Sequence, residues 1–276
     1  MSGRPVSLLS GAASGIGRHM ARVLHRAGHR LVLIDIDEER LVSLAAEQGW
    51  QHDRAVCLER LDVRDAAGWT ALVDRAANRF GRIDFMLNIA GYLKPGYVHE
   101  MDADTFSRHL DINAKGVIFA TRAVAPILIA QRFGHIVNVA SIAAISHVPG
   151  LSAYCASKHA VRGFSLAIAH ELARHGVAVT VVCPDAVETP MLTLQEAYPE
   201  AAMTFGGRRA LTLEEVEHAL LRAMRDRPLE VLLDVPGSGR GVGARLANMF
   251  PRLTGLAVER IVERGRAVQN ERSRAR

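Results

Sequence analysis

Apolar positions recur along this chain in two alternating rhythms. Short β-branched or leucine-rich runs at residues 6–9, 30–34, 55–61, 83–87, 135–140, 177–182 and 230–233 read as strands, most of them apolar enough to be buried on both faces. Between them apolar residues return at helical spacing. The first such run goes through Met20, Val23 and Leu24 to Ala27, with Gly28 as its stop. Others cover about 66–79, 103–131 and 153–175, and one runs to Asp226 behind Thr212-Leu-Glu-Glu215, a capping-box pattern. Residues 191–209 look irregular, with room for a short helix. Strands alternating with helices predict an α/β fold with a parallel sheet covered on both faces, and ligands at the carboxyl ends of the strands.

Polar residues of chemical interest cluster at those carboxyl ends. After the first strand comes Ser10-Gly11-Ala-Ala-Ser14-Gly15-Ile16-Gly17, leading into a helix. A strand, a glycine turn and a helix start suit an anion, because backbone N–H groups and the helix dipole face it. The second strand runs into Asp35-Ile36-Asp37. An acid there is placed for a ribose hydroxyl pair and against a 2′-phosphate, which suits Asp35, whereas Asp37 suits the cap of the next helix. Asp62-Val63 follows the third strand and Asn88-Ile89-Ala90-Gly91 ends the fourth. Ser141 ends the fifth, and Tyr154 and Lys158 stand one helical turn apart downstream. A lysine ammonium near a phenol favours the phenolate and makes tyrosine a usable acid-base group. Tyr-x-x-x-Lys alone is common on ordinary helices. The serine thirteen positions upstream, at a strand end, is what favours chemistry. Asn113 is a polar residue inside an apolar helix and by itself points to a structural partner.

Composition adds limits. The 276 residues are 49% hydrophobic and 23% charged, which fits a soluble globular protein. The formal net charge of +5 is concentrated in the C-terminal tail, where arginines alternate with Glu259, Glu263 and Glu271 without interleaved aromatics. That favours a solvated tail over a nucleic-acid surface. The three cysteines, Cys57, Cys155 and Cys183, lack metal-site spacing and read as reduced thiols of a cytoplasmic protein. No uncharged apolar stretch reaches about 18 residues, and no signal segment is expected. Past the last strand, 236–243 is a glycine-rich connector. Beyond it Leu246, Met249, Phe250, Leu253, Leu256, Ala257 and Ile261 form an apolar stripe interrupted by Pro251. The chain therefore divides into a sheet domain, 1–235, and a C-terminal extension, 236–276, whose helix is expected to border the substrate entrance.

Taken together these residues resemble the short-chain dehydrogenases/reductases over about residues 6–235. Gly11, Gly15 and Gly17 match the family's cofactor glycines, although Ser10 stands where threonine is common. Asp62-Val63 matches the acid that holds the adenine, and Asn88-Ile89-Ala90-Gly91 the family's Asn-Asn-Ala-Gly with one change. Asn113, Ser141, Tyr154 and Lys158 match its catalytic tetrad. Pro184 and Thr189 match the nicotinamide-side loop, but Asp185 replaces the usual glycine. The resemblance implies a three-layer, Rossmann-type doubly wound sheet of about seven strands, and a nicotinamide cofactor, which Asp35 favours as NAD. Ser14, Ile16, Ala90 and Val187 complete the implied cofactor site. It implies oxidation of a secondary alcohol or reduction of a ketone, with Tyr154 as acid-base, Ser141 bonding the reacting oxygen, Lys158 holding phenolate and ribose, and Asn113 positioning a water. Dimers or tetramers packed through the helices of Asn113 and Tyr154 are implied too. The expected substrate wall is Tyr92, Ile142, His147, Val148, Leu151, Ala186, Val187, Met191 and Leu192, mostly apolar. A non-catalytic NAD-binding sensor on the same fold is the alternative, disfavoured because a sensor needs no Tyr-Lys pair.

Overall fold

Every apolar run read as a strand enters one sheet. The computed structural model describes residues 3–239, 241, 243 and 255–274, the last span with side chains from residue 258 onward. The strands are β1 (Val6–Ser10), β2 (Arg30–Asp35), β3 (Val56–Arg60), β4 (Phe85–Asn88), β5 (Gly134–Val139), β6 (Val177–Pro184) and β7 (Glu230–Leu233). They pair in the order β3-β2-β1-β4-β5-β6-β7, all parallel. The order reverses between β1 and β4, so a crevice opens at their carboxyl ends, where ligands bind in such sheets.

Alternation along the strands builds two cores. Leu9, Leu31, Leu33, Leu87 and Val137 point to one face. They meet Met20 and Leu24 of α1 (Gly15–Arg26), Leu41 and Leu44 of α2 (Glu38–Glu47), and Val216 and Leu220 of α8 (Leu213–Asp226). Their neighbours Leu8, Val32, Ile34, Met86 and Ile136 point to the other face, toward Trp69 and Leu72 of α3 (Ala66–Phe80). The same face carries Val124 and Leu128 of α5 (Gly116–Gln131), and Ile168 and Leu172 of α6 (Ser152–Ala173). Sheet and helices thus form three layers, and removing one such leucine would cost about 2–5 kcal/mol.

Local signals hold where their chemistry is local. Asp37 caps α2, accepting from Arg40 N at 3.0 Å. Thr212 and Glu215 close the expected capping box on α8. One helical run, 103–131, differs from the expectation of a plain helix. It comprises α4 (Ala103–His109), a π-helical turn (Leu110–Lys115) and α5. By length and composition this run is apolar enough to cross a membrane, at mean hydropathy 1.4. Lys115 and Arg122 interrupt it, however, and Ala120, Val124 and Leu128 are packed in the core beneath the sheet. The segment after β6 holds α7 (Pro190–Gln195) and a 3-10 stretch (Pro199–Gly206). A final helix, α9 (Gly255–Arg274), lies against that stretch. Of the expected apolar stripe, Leu246, Met249, Phe250 and Leu253, with Pro251, lie outside the described residues.

Candidate active site

The turn after β1 is built for close approach. Gly11 adopts φ +72°, and a Cβ there would stand 2.7 Å from the backbone of Ala90, so only glycine lets β1 and β4 end side by side. Ser10 Oγ fixes the same junction by accepting from Ile89 N (3.1 Å) and Ala90 N (3.3 Å). Gly17 packs on the Gly11 carbonyl, where a Cβ would fall at 2.0 Å. Ser14 is the N-cap of α1 but makes no capping hydrogen bond, and the first turn carries no acid. Ser14, Gly15 and Ile16 border the cavity described below, and an uncapped helix start of this kind suits an anion.

The two candidate acids are held differently. Asp35 accepts from Ala13 N (3.0 Å) through one oxygen and Asp37 N (3.1 Å) through the other. Its carboxylate is thereby fixed beside the glycine turn with lone pairs remaining. Asp62 is gripped by Arg64, whose Nε reaches both carboxylate oxygens at 3.0 Å and whose backbone N adds a further bond. The Arg64 hydrogen bonds hold the Asp62 carboxyl below its ordinary range. Nothing in the spacing of Asp62 and Arg64 announced that pairing.

At the other end of the cavity, Ser141 begins a 3-10 turn and its Oγ accepts from Ala143 N at 3.1 Å. Tyr154, on α6, borders the same space as Ser141. One helical turn on, Lys158 Nζ donates to Val139 O at 2.9 Å and lies 5.7 Å from the centroid of the Tyr154 ring. Burial dominates both groups. It pushes the Tyr154 phenol up, against the lowering effect of the Ser141 hydroxyl. It lowers the Lys158 ammonium to about 8. Desolvation penalises phenolate and ammonium alike.

Asn113 sits in the π-helical turn, fully buried. Its amide Nδ2 donates to Tyr92 O and to Ser157 Oγ, both at 2.9 Å, and its Oδ1 accepts from Tyr92 N at 2.7 Å. The side chain thus braces the loop after β4, with one Oδ1 lone pair left. Asn88, expected at the cofactor, is only 2% exposed and gives its amide to Asn138 Oδ1 at 2.8 Å. Asn138 in turn donates to Ser165 Oγ, so this chain of polar groups ties β4 and β5 to α6.

One cavity of about 1040 Å³ joins these parts. Its wall includes Gly11, Ser14, Gly15, Ile16, Asp35, Asp62, Val63, Ala90 and Gly91 at one end, and Ser141, Tyr154, Lys158, Pro184, Val187 and Thr189 at the other. All of Tyr92, Ile142, His147, Val148, Leu151, Ala186, Met191 and Leu192 border it as well. Three expected residues, Gly17, Asn88 and Asn113, lie behind the wall and act through the backbone they support. Asp185, in place of glycine, is itself on the wall, with Oδ1 accepting from Ala186 N at 2.9 Å. Val258 and Ile261 belong to the C-terminal helix expected at the substrate entrance, whereas sequence reasoning missed Leu93, Ala143, Gln195, Met203 and Thr204. They arrive from segments without a motif, and only packing brings them here.

A cavity with a glycine cradle, a fixed acid and a buried phenol-lysine pair fits a dinucleotide that meets a small molecule. Residues 5–199 match the family model for the short chain dehydrogenases. The chain is 40% identical over 186 residues to oxidoreductase UcpA of Salmonella typhimurium, covering 67% of this chain and 70% of that protein. Similarity to the SadH protein of Mycobacterium tuberculosis is 32% over 270 residues, covering 94% of each. The crystal structure of a 3-ketoacyl-(acyl-carrier-protein) reductase from Brucella melitensis complexed with NADH is 29% identical. It superposes with a TM-score of 0.75, covering 86% of this chain and 98% of that one. Solved structures of similar fold also include complexes with NADP.

Proposed function

Because the chain belongs to the short-chain dehydrogenase family, we propose that it is an NAD-dependent oxidoreductase interconverting a secondary alcohol and a ketone on a hydrophobic substrate. The observation that carries this reading is the grouping of Ser141, Tyr154 and buried Lys158 on the wall of the cavity that also reaches Asp35 and the glycine turn. When bound, the nicotinamide supplies the carbon that takes or gives a hydride. The chain's own groups manage the oxygen. In oxidation Tyr154, as phenolate, takes the hydroxyl proton, and in reduction its phenol returns one to the developing alkoxide. Ser141 donates a hydrogen bond to the same oxygen. Lys158 supplies the positive charge that favours the phenolate and a donor for the ribose. Asn113 positions the Gly91–Tyr92 backbone opposite them, and its remaining Oδ1 lone pair could hold a water on the way to Lys158.

Asp35 supports NAD over NADP. Its carboxylate is pinned by two backbone N–H groups and cannot swing aside. A 2′-phosphate brought within a few ångströms of it would meet like-charge repulsion of about 4 kcal/mol at the effective dielectric of a protein surface. The nearby cations are spoken for, Arg40 by Asp37 at 3.2 Å and Arg18 by Glu47 at 2.6 Å. Screening alcohols and ketones by absorbance with both cofactors tests the assignment. The expected result is turnover with kcat/KM at least tenfold higher for NAD. Equal or better values with NADP would remove Asp35 from its role.

Assembly through α5 and α6 is part of the same reading. Phe119, Ala123, Ile127 and Phe164 on these helices pack only partly against the core, which leaves apolar surface for a second copy. Free Cys57, Cys155 and Cys183 support a reducing, cytoplasmic setting.

A further inference from the structure

The apolar end of the cavity is closed by a segment from beyond the sheet. Val258 and Ile261 of α9 border the cavity together with Met191, Leu192 and Met203 of the segment after β6. The helix is seated closely on that segment. A Cβ on Gly265 would stand 1.8 Å from the Ala202 carbonyl oxygen, and one on Gly206 would stand 2.4 Å from the Ile261 side chain. Two polar clamps add to this fit. Gln269, only 4% exposed, donates from Nε2 to Gln195 O (2.9 Å), at the last residue of α7, and to Tyr198 O (2.7 Å) beyond it. Arg272 pairs with Glu196 at 2.8 Å and with Glu188 at 2.9 Å, and its guanidinium lies 5.8 Å from the Phe205 ring centroid. An exposed ion pair contributes little, but the Glu196 side chain is only 5% exposed and Arg272 bridges two acids. The polar groups near this end are already engaged. Gln195 Nε2 donates to Met191 O, and Gln195 Oε1 accepts from Thr204 Oγ1.

We propose that α9 is the specificity wall of this site. Val258 and Ile261 contact the apolar body of a long-chain or fused-ring ketone or alcohol, and Gln269 and Arg272 are positioning residues that fix the segment carrying Met191 and Leu192. The proposal rests on the oxidoreductase reading for the reacting end of the substrate, while the wall itself needs no chemistry. Each methylene buried against it is worth about fourfold in affinity.

The test uses the full chain and two independent readouts. Binding of a neutral naphthyl alkyl ketone, whose emission shifts in apolar surroundings, reports the wall without turnover. The ratio of kcat/KM for decan-2-one to that for butan-2-one reports it through chemistry. For Val258→Trp the expected result is probe affinity at least tenfold weaker, a long-to-short ratio at least tenfold lower, and an NADH Kd within twofold of wild type. Arg272→Gln should weaken the probe as well, and should speed hydrogen exchange across 196–206. Unchanged probe affinity in folded Val258→Trp overturns the proposal, whatever the turnover. Should that variant fail to fold, Val258→Phe carries the same comparison. If wild type turns over no alcohol or ketone while Val258→Trp still weakens the probe, the oxidoreductase reading falls and the wall stands. If turnover proceeds with an unaltered ratio and probe affinity, the wall falls and that reading stands.

Discussion

Tyr154 and Lys158 share one buried environment that acts on them in opposite senses. Burial holds the phenol protonated and brings the ammonium down to about 8. On the proposed mechanism, reduction uses the neutral phenol as the acid, whereas oxidation needs the phenolate that burial disfavours. Two outcomes are expected at this scale. Tyr154→Phe should lower kcat by at least 100-fold, since general acid-base catalysis contributes typically ~10²–10⁴-fold, while NADH still binds with unaltered fluorescence enhancement. A variant retaining more than a tenth of wild-type kcat would show that another group moves the proton. Second, kcat/KM for ketone reduction should fall as pH rises through about 8, because Lys158 then loses the charge that balances the phenolate left behind. A profile flat to well beyond that pH would separate Lys158 from the proton step.

At the scale of elements, the informative contrast is between helices announced by their own sequence and helices placed by others. α8 carries its capping box and α2 its Asp37 cap, so their starts are local events. The π-helical turn around Asn113 has no such local signature. It widens the helix where Asn113 reaches both the N–H and the carbonyl of Tyr92, and such turns occur frequently at functional sites. α9 depends on its seat. Because a Cβ on Gly265 would collide with the Ala202 carbonyl, Gly265→Val should displace the helix. Overpacking typically costs about 1–3 kcal/mol. The expected result is a lower Tm and easier proteolytic removal of the segment after residue 237, with NADH affinity retained because the glycine turn and Asp35 lie elsewhere. A Gly265→Val protein with wild-type Tm and protease resistance would mean that α9 does not seat there.

For the whole molecule, pH stability follows from half-buried His29 and from fully buried His109 and His135. Burial lowers His29, His109 and His135, the last to about 4. His135 packs at the amino end of the sheet with Nε2 on Thr180 Oγ1 at 2.8 Å, while Thr180 donates onward to Pro228 O. Nε2 must then carry the proton, and the ring is neutral in the fold. A histidine with a folded pKa below its unfolded value binds more protons when unfolded. Its contribution is present above pH 6.5 and is lost as pH falls from there toward 4. Between pH 7 and 5, His135 alone should cost about 2 kcal/mol, readable as a drop in the urea midpoint. His135→Gln should flatten that slope, and an unchanged slope would assign acid lability to other groups. How the chain makes such a molecule divides between sequence and structure. The strand and helix runs, the glycine turn, Asp35 and the Ser141–Tyr154–Lys158 spacing were legible because each depends on neighbours a few residues away, through periodicity, capping or one helical turn. Asn88, Arg64 and the seat of α9 on the segment after β6 were decided only by tertiary structure. Asn88 turns from the cavity because Asn138, paired with it in register across β4 and β5, offers a buried acceptor. Arg64 takes the Asp62 carboxylate through a side-chain rotamer that no spacing specifies. The far wall of the cavity joins Met191 and Met203 to Val258 and Ile261, residues more than fifty positions apart. Contacts between segments so distant in the chain are fixed by the packing of surfaces, and local pattern carries no record of which surfaces will meet.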